Sequence, residues 1–332
     1  MKRNIVPLIV FLILAAVLPL FVTNTYYLNT LILILLYSYL ASCWNIVGGF
    51  AGQLSFGHSA FLAIGAYTST ILFSQFGISP WIGMILGGVI AGFIAVLIGI
   101  PTSRLRGAYY AIATIAFSSG LMIILLTVKN IGPINIGGAE GLNVTFLREA
   151  TFLDFQFMSK VPYYYIILGF SILILFISWL IDRSKLGFYL TALREDEEAA
   201  KALGINVAKT KLMAAGISGF FTAIGGTFYA QYFRYLEPHF LAGPDFSNQM
   251  VFLAIVGGIA TVYGPFVGGI ILTTIAEVTR VTFTDLPSGT HLVIYGAIVL
   301  FVILFFPKGI TAPIQEKYHQ ICSKLFDKKL KV

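Results

Sequence analysis

Residues 187–206 read GFYLTALREDEEAAKALGIN, the only long charged block inside an otherwise apolar chain. Arg194, Glu195, Asp196, Glu197, Glu198 and Lys201 fall within eight positions, and apolar runs of bilayer-spanning length lie on both sides. A single charge at the bilayer centre costs ~2.5–3.5 kcal/mol on the mildest scale. The block therefore stands in water while its neighbours cross or enter the membrane. Composition agrees: 11% of residues are charged and 58% hydrophobic, whereas soluble domains carry about 25% charge. Arg194 with Glu198 and Glu197 with Lys201 are i,i+4 pairs of opposite charge, which favours a short surface helix, stopped at Gly204. A solvated connecting loop is the alternative left open by composition.

Ten segments approach the ~20 apolar residues a spanning helix needs: 5–22, 27–47, 58–76, 81–100, 108–128, 162–181, 212–232, 247–263, 265–280 and 291–306. The expected fold is an all-α polytopic membrane protein with about ten transmembrane or membrane-entering helices. The last three segments are short and either tilt or enter without crossing. Lys2 and Arg3 precede the first run, and no A-x-A-like site follows it, so it reads as an uncleaved span. Placing the N-terminus in the cytoplasm puts 16 of the 21 Lys and Arg residues on that side. Only Lys129, Arg148, Lys160, Arg234 and Arg280 remain outside. This bias sends both termini and the charged block to the cytoplasm. It also explains the net charge of +7 without a nucleic-acid partner, which would require a basic face on a folded domain. Cys43 and Cys322 match no metal or redox spacing.

The reading divides the chain into a transmembrane domain at 1–307 and a basic cytoplasmic tail at 308–332. Within the first lie an external loop at 129–161 and a cytoplasmic loop at 182–211. The external loop is long enough to be functional or disordered. The tail's six lysines suit anionic headgroups.

Two glycine-rich stretches stand out. GGFAGQLSFGH (48–58) joins the second and third segments, with Asn45, Gln53, Ser55, His58 and Ser59 beside it. Such backbone at membrane depth is tolerated only when buried in protein or facing a wet cavity. It reads either as a broken-helix region lining a substrate path or as a tight turn with satisfied polar groups. GGIATVYGPFVGG (257–269) brings Gly257 and Gly258 to the junction of two short segments, and paired interruptions of this kind hint at a path between two halves. The small-xxx-small pairs Gly83/Gly87, Gly88/Gly92 and Gly264/Gly268 favour close helix packing.

No catalytic residue and no metal ligand is assigned. H-E-x-x-H, G-x-S-x-G and the P-loop pattern are missing from the sequence. Uphill transport on ATP would need an ATPase on another chain. Glu277 is the one carboxylate well inside a segment, which weakens a proton-driven mechanism.

EAAKALG (198–204) matches the E-A-A-x-x-x-G signature of ABC importer permeases. ALREDE (192–197), GGFAGQLSFGHSAFLAIGAY (48–67), LRGAYYAIATIAF (105–117), GGAEGL (137–142), GGIATVYGPFVGG (257–269) and Pro307-Lys308-Gly309 resemble, in order, the branched-chain amino acid permease family. The I-x-L-P end of the wider signature is missing after Gly204. The resemblance implies the membrane subunit with the external Gly-Gly-x-x-Gly-Leu loop, in a bacterial inner membrane, with no cofactor of its own. Its implied partners are a second homologous permease subunit, two ATP-binding cassette ATPases using ATP-Mg, and an extracytoplasmic substrate-binding protein. Arg194, Glu195, Asp196, Glu198, Ala199, Ala200 and Gly204 are the expected ATPase-coupling residues, on one docking helix from about 188 to 203. Asn45, Gln53, Ser55, His58, Gly257 and Gly258 are the candidates for the substrate path. The expected cargo is leucine, isoleucine and valine. A urea or amide permease of the same family, a self-sufficient secondary transporter and a flux-free scaffold are the alternatives.

Overall fold

A computed structural model describes residues 15–19, 21–22, 24–146, 151–283, 289–306 and 309–311. The basic tail beyond 311, Arg148, and most of the first expected span lie outside the described residues.

The order of the described elements is α1 (Thr25–Asn45), α2 (His58–Phe76), α3 (Pro80–Thr102), α4 (Ala108–Thr127), α5 (Val161–Arg183), α6 (Lys185–Glu195), α7 (Glu197–Ala202), α8 (Val207–Phe233), α9 (Pro238–Ala242), α10 (Pro244–Gly257), α11 (Gly264–Thr282) and α12 (Thr290–Phe305). The protein is a polytopic helical membrane protein, and six of its described helices are long and apolar enough to span a bilayer. α2 is not among them although it has 19 residues. Its Ser59, Ser69 and Thr70 are buried in protein rather than facing lipid, so it needs no uniformly apolar surface.

Local chemistry sets the boundaries. Pro80 opens α3 at a position where its missing N–H breaks no ladder bond. Gly77 closes α2 in the left-handed region (φ 65°). Side chains of Asn24, Ser184, Asp196 and Asn206 cap α1, α6, α7 and α8 by accepting from first-turn amides.

α8 is the central post, packed on α2 and α3. Small residues make this approach close: Gly65 lies against Ala223, Gly226 against Leu62, and Gly219 against Ala91 and Ala95. Gly88 and Gly92 of the expected pairs face Phe220 and Gly216 on α8. α1 connects this group to α5, α10 and α11.

Contacts sort the helix ends into two sides. At one, Lys160 Nζ donates to Asn29 Oδ1 (3.1 Å), and Tyr232 OH bonds the same oxygen. Strand β1 (Leu142–Asn143) pairs there with β2 (Tyr235–Leu236), so the loop at 129–161 and the end of α8 share that side. Phe155, fully buried, plugs the bundle and stacks on Trp81 at 4.4 Å. The charged block occupies the opposite side.

The segments expected at 247–263 and 265–280 fold as α10 and α11, with a non-helical turn at 258–263. α10 ends early because Gly258 (φ 129°) and Ala260 (φ 61°) leave helical space. At about 1.5 Å per residue its 14 residues reach roughly 21 Å, less than a ~30 Å hydrocarbon core.

Candidate functional site

The charged block is two helices rather than the single helix expected over 188–203. Asp196, in extended backbone (φ −155°), separates α6 from α7. Its carboxylate accepts from Glu198 N (2.9 Å) and Ala199 N (3.1 Å). The break also changes the pairing: Arg194 bonds its neighbour Glu195 (2.9 Å) rather than Glu198. The Glu197–Lys201 pair is kept at 3.7 Å. Gly204 ends the element in the left-handed region (φ 82°).

The two alanines of the signature point opposite ways. Ala200 is 1% exposed and packs with Leu193 and Val207, whereas Ala199 is exposed. Beyond them Leu203 is 80% exposed, a large apolar side chain left on the surface of the block.

Glu197, Arg106 and Lys211 are not among the residues the sequence assigned to coupling, and they hold the block in place. Glu197 is 14% exposed at its side chain, against 64% for Glu198. Its carboxylate meets Lys211 Nζ at 3.0 Å and Arg106 Nε at 3.1 Å. Lys211, 6% exposed, also donates to Ser103 O at 3.2 Å. Arg106 pairs with Glu198 as well. Contact with Arg106, and after it with Lys201, holds the Glu198 carboxyl below the usual carboxylate range. The contact with Glu198, then the charge on Glu197, raises Arg106. The available signal was polarity: two cations flanking apolar segments, opposite in sign to an acid-rich block from which Lys211 is 14 positions away and Arg106 some ninety.

The first glycine-rich stretch lies directly behind this block. The helix from α1 continues as one π-helical turn, Ile46–Phe50, which packs on α6. The chain then runs without regular secondary structure to His58. A Cβ on Gly52, already at φ 65°, would sit 2.8 Å from Arg194 Cγ. The glycine-rich stretch and the charged block thus meet at Gly52 and Arg194.

Most polar groups of the joint are bonded within the chain. Asn45 Nδ2 donates to Thr261 O and Asn45 Oδ1 accepts from Ala260 N, both at 3.0 Å. Its amide thereby secures the turn after Gly257 and Gly258. Thr311 Oγ1 donates to Gly257 O at 2.7 Å. Trp44 Nε1 donates to Ser55 O at 2.6 Å. Ser218 Oγ donates to Cys43 O at 2.7 Å. With that proton committed, Ser218 accepts from His58 Nε2–H (2.7 Å), and His58 Nδ1 accepts from Ser55 Oγ (3.1 Å). His58 therefore ties α2 to α8 and α1 in a directed chain through Ser218. Gln53 is buried, and its Nε2 has no protein partner.

Ser55 and His58 also border a cavity of about 20 Å³ with Thr102, Tyr110 and Thr114. That volume holds a water and excludes an amino acid. In this structure the stretch is a packed turn whose named polar groups, Gln53 Nε2 apart, are bonded within the chain. Ser218→Ala leaves the His58 Nε2–H unpaired and is expected to cost ~1–3 kcal/mol. It should lower the thermal unfolding midpoint in detergent, and an unchanged midpoint would contradict the chain of bonds.

The family described as branched-chain amino acid transport system / permease component matches residues 26–303. The chain belongs to this permease family. It is a non-catalytic membrane component of the ABC transporter type, as the resemblance implied. It is 30% identical over 326 residues to the high-affinity branched-chain amino acid transport system permease protein LivM of Escherichia coli (strain K12), a match covering 91% of this permease and 74% of that protein. LivM of Salmonella typhimurium is 30% identical over 289 residues, covering 80% and 65%. The nucleoside ABC transporter permease protein NupC of Lactococcus lactis subsp. cremoris is 28% identical over 191 residues, covering 54% and 59%. Among the described residues no group of three or more His, Cys, Asp or Glu is placed to hold a metal.

Proposed function

We propose that this permease is the membrane-spanning subunit of an ATP-driven, binding-protein-dependent importer for branched-chain amino acids. A second permease subunit, two ATPases and an extracytoplasmic binding protein complete it. The observation that carries this reading is the α6–α7 block, an ordered polar element at one end of the bundle in a chain of this family. The excess of Lys and Arg on that side supports a cytoplasmic location for it and for both termini. In this reading ATP closes the ATPase pair, and the exposed side of α7, with Ala199 and Leu203, meets that pair. Buried Ala200 seats α7 on Leu193 and Val207. Arg194 and Gly52 carry the displacement into the joint at 45–58. An apolar zwitterion needs an apolar cavity and a few polar contacts rather than a charged cage.

Likeness to a nucleoside permease supports a second reading, the same machine with another small cargo. Reconstitution with the cognate ATPases and binding protein tests both. ATP-dependent leucine uptake that disappears without the ATPases is the expected result. Uptake without ATPases would establish a secondary transporter instead. Uptake of a nucleoside or urea with no leucine uptake would assign the other cargo.

A further inference from the structure

Glu197 is set apart from the other acids of the block. Glu195 and Glu198 are 71% and 64% exposed at their side chains, whereas Glu197 is turned inward at 14%. Three cations from three different places converge on it. Lys211 comes from the first turns of α8, Arg106 from the link between α3 and α4, and Lys201 from α7 itself. Lys211 is nearly buried and has as partners Glu197 Oε2 and Ser103 O. A buried ammonium keeps its charge only while such partners remain. Each side of the clamp belongs to a different body: α7 to the block, Lys211 to the central post, and Ser103 and Arg106 to the α3–α4 link.

We infer that Glu197 is the positioning residue through which displacement of the charged block reaches α8 and the α3–α4 link. The inference rests on the proposed coupling role of that block. Exposed ion pairs hold little by themselves, because water and salt screen them. A shielded carboxylate shared by Lys211 and Arg106 resists separation and makes α7 move with the ends of α3, α4 and α8. The surface of α7 meets the partner; Glu197 acts behind that surface and needs no contact with it.

The test uses the full reconstituted complex with Glu197→Gln, Glu197→Asp, and the double variant Glu197→Gln with Lys211→Met. Three quantities are read: ATPase subunits retained on the permease, ATP hydrolysed, and leucine taken up per complex. In Glu197→Gln the ATPases should stay bound and hydrolyse ATP, while uptake per ATP falls on the order of tenfold, because one partner of a buried pair is gone. Glu197→Asp should recover part of the uptake. The double variant leaves no buried charge unpaired, so it assembles even where the single variant does not. It too should hydrolyse ATP with little uptake. A residue that only stabilised the fold would lower the amount of complex and leave uptake per ATP unchanged. That result in both Gln-containing variants overturns the inference. Failure of the unaltered permease to retain any ATPase overturns the underlying coupling role instead, so the two failures are told apart.

Discussion

Gly226→Leu is expected to abolish recovery of folded permease from the membrane. Gly226 faces α2 in the middle of α8, where a Cβ would fall on the Leu62 carbonyl and within 3.0 Å of Ala66 N. Both are helix backbone, so no side-chain rotation relieves the clash. The two helices must separate, and with them goes the close packing that holds membrane helices together. Overpacking a core costs ~1–3 kcal/mol when side chains can adjust, and more where backbone must move. α8 also carries the α3 contact, so displacement at Gly226 propagates to Gly219 against Ala91 and Ala95. Gly169→Leu is the control, because a Cβ there meets nothing within 4 Å. Size-exclusion profiles in mild detergent should show a monodisperse peak for Gly169→Leu and aggregate or no protein for Gly226→Leu. Equal monodisperse yields would remove α8 from its place as the central post.

The helices were legible because the bilayer imposes one rule on every segment, that backbone polar groups be satisfied inside an apolar run. The expected segment at 162–181 and the observed Val161–Arg183 differ by two residues at most. α10 was drawn too long because hydropathy cannot register a turn held by a distant side chain. Ile259, Ala260 and Val262 are apolar enough to continue a helix, yet Asn45, over two hundred residues earlier, bonds the backbone of Ala260 and Thr261. The same limit applied at Asp196. Its neighbours are good helix formers, but its short carboxylate reaches the amides of Glu198 and Ala199, a cap rather than an interior role. The clamp at Glu197 was least legible. Salt-bridge partners ninety or so positions apart leave no spacing signal, and only the fold brings Arg106 beside the block. The family's signature drew notice to the two alanines as a pair, whereas helix geometry sends neighbouring residues to different faces.

That divergence makes Ala200→Trp the sharpest test of the block. Ala200 fills the small space between Leu193 and Val207, with Ala192 and Ile205 closing it. An indole cannot enter, so α7 must lift away from α6 and the start of α8. An overpacking cost of ~1–3 kcal/mol at about 1.4 kcal/mol per factor of ten lowers the seated population roughly five- to hundredfold. This small core meets the spans only at Val207, the first residue of α8, so insertion is expected to be normal while leucine uptake falls by that factor. Ala199→Trp also should lose uptake, for a different reason: its side chain is exposed, and added bulk there obstructs the partner surface. Limited proteolysis of the isolated permease separates the two. Ala200→Trp should expose 196–204 to cleavage, and Ala199→Trp should leave the block as resistant as the unaltered protein, yet both should retain less of the ATPases. Full uptake by Ala200→Trp would mean that α7 need not be seated for transport, and the lever would have to be sought in α6 alone.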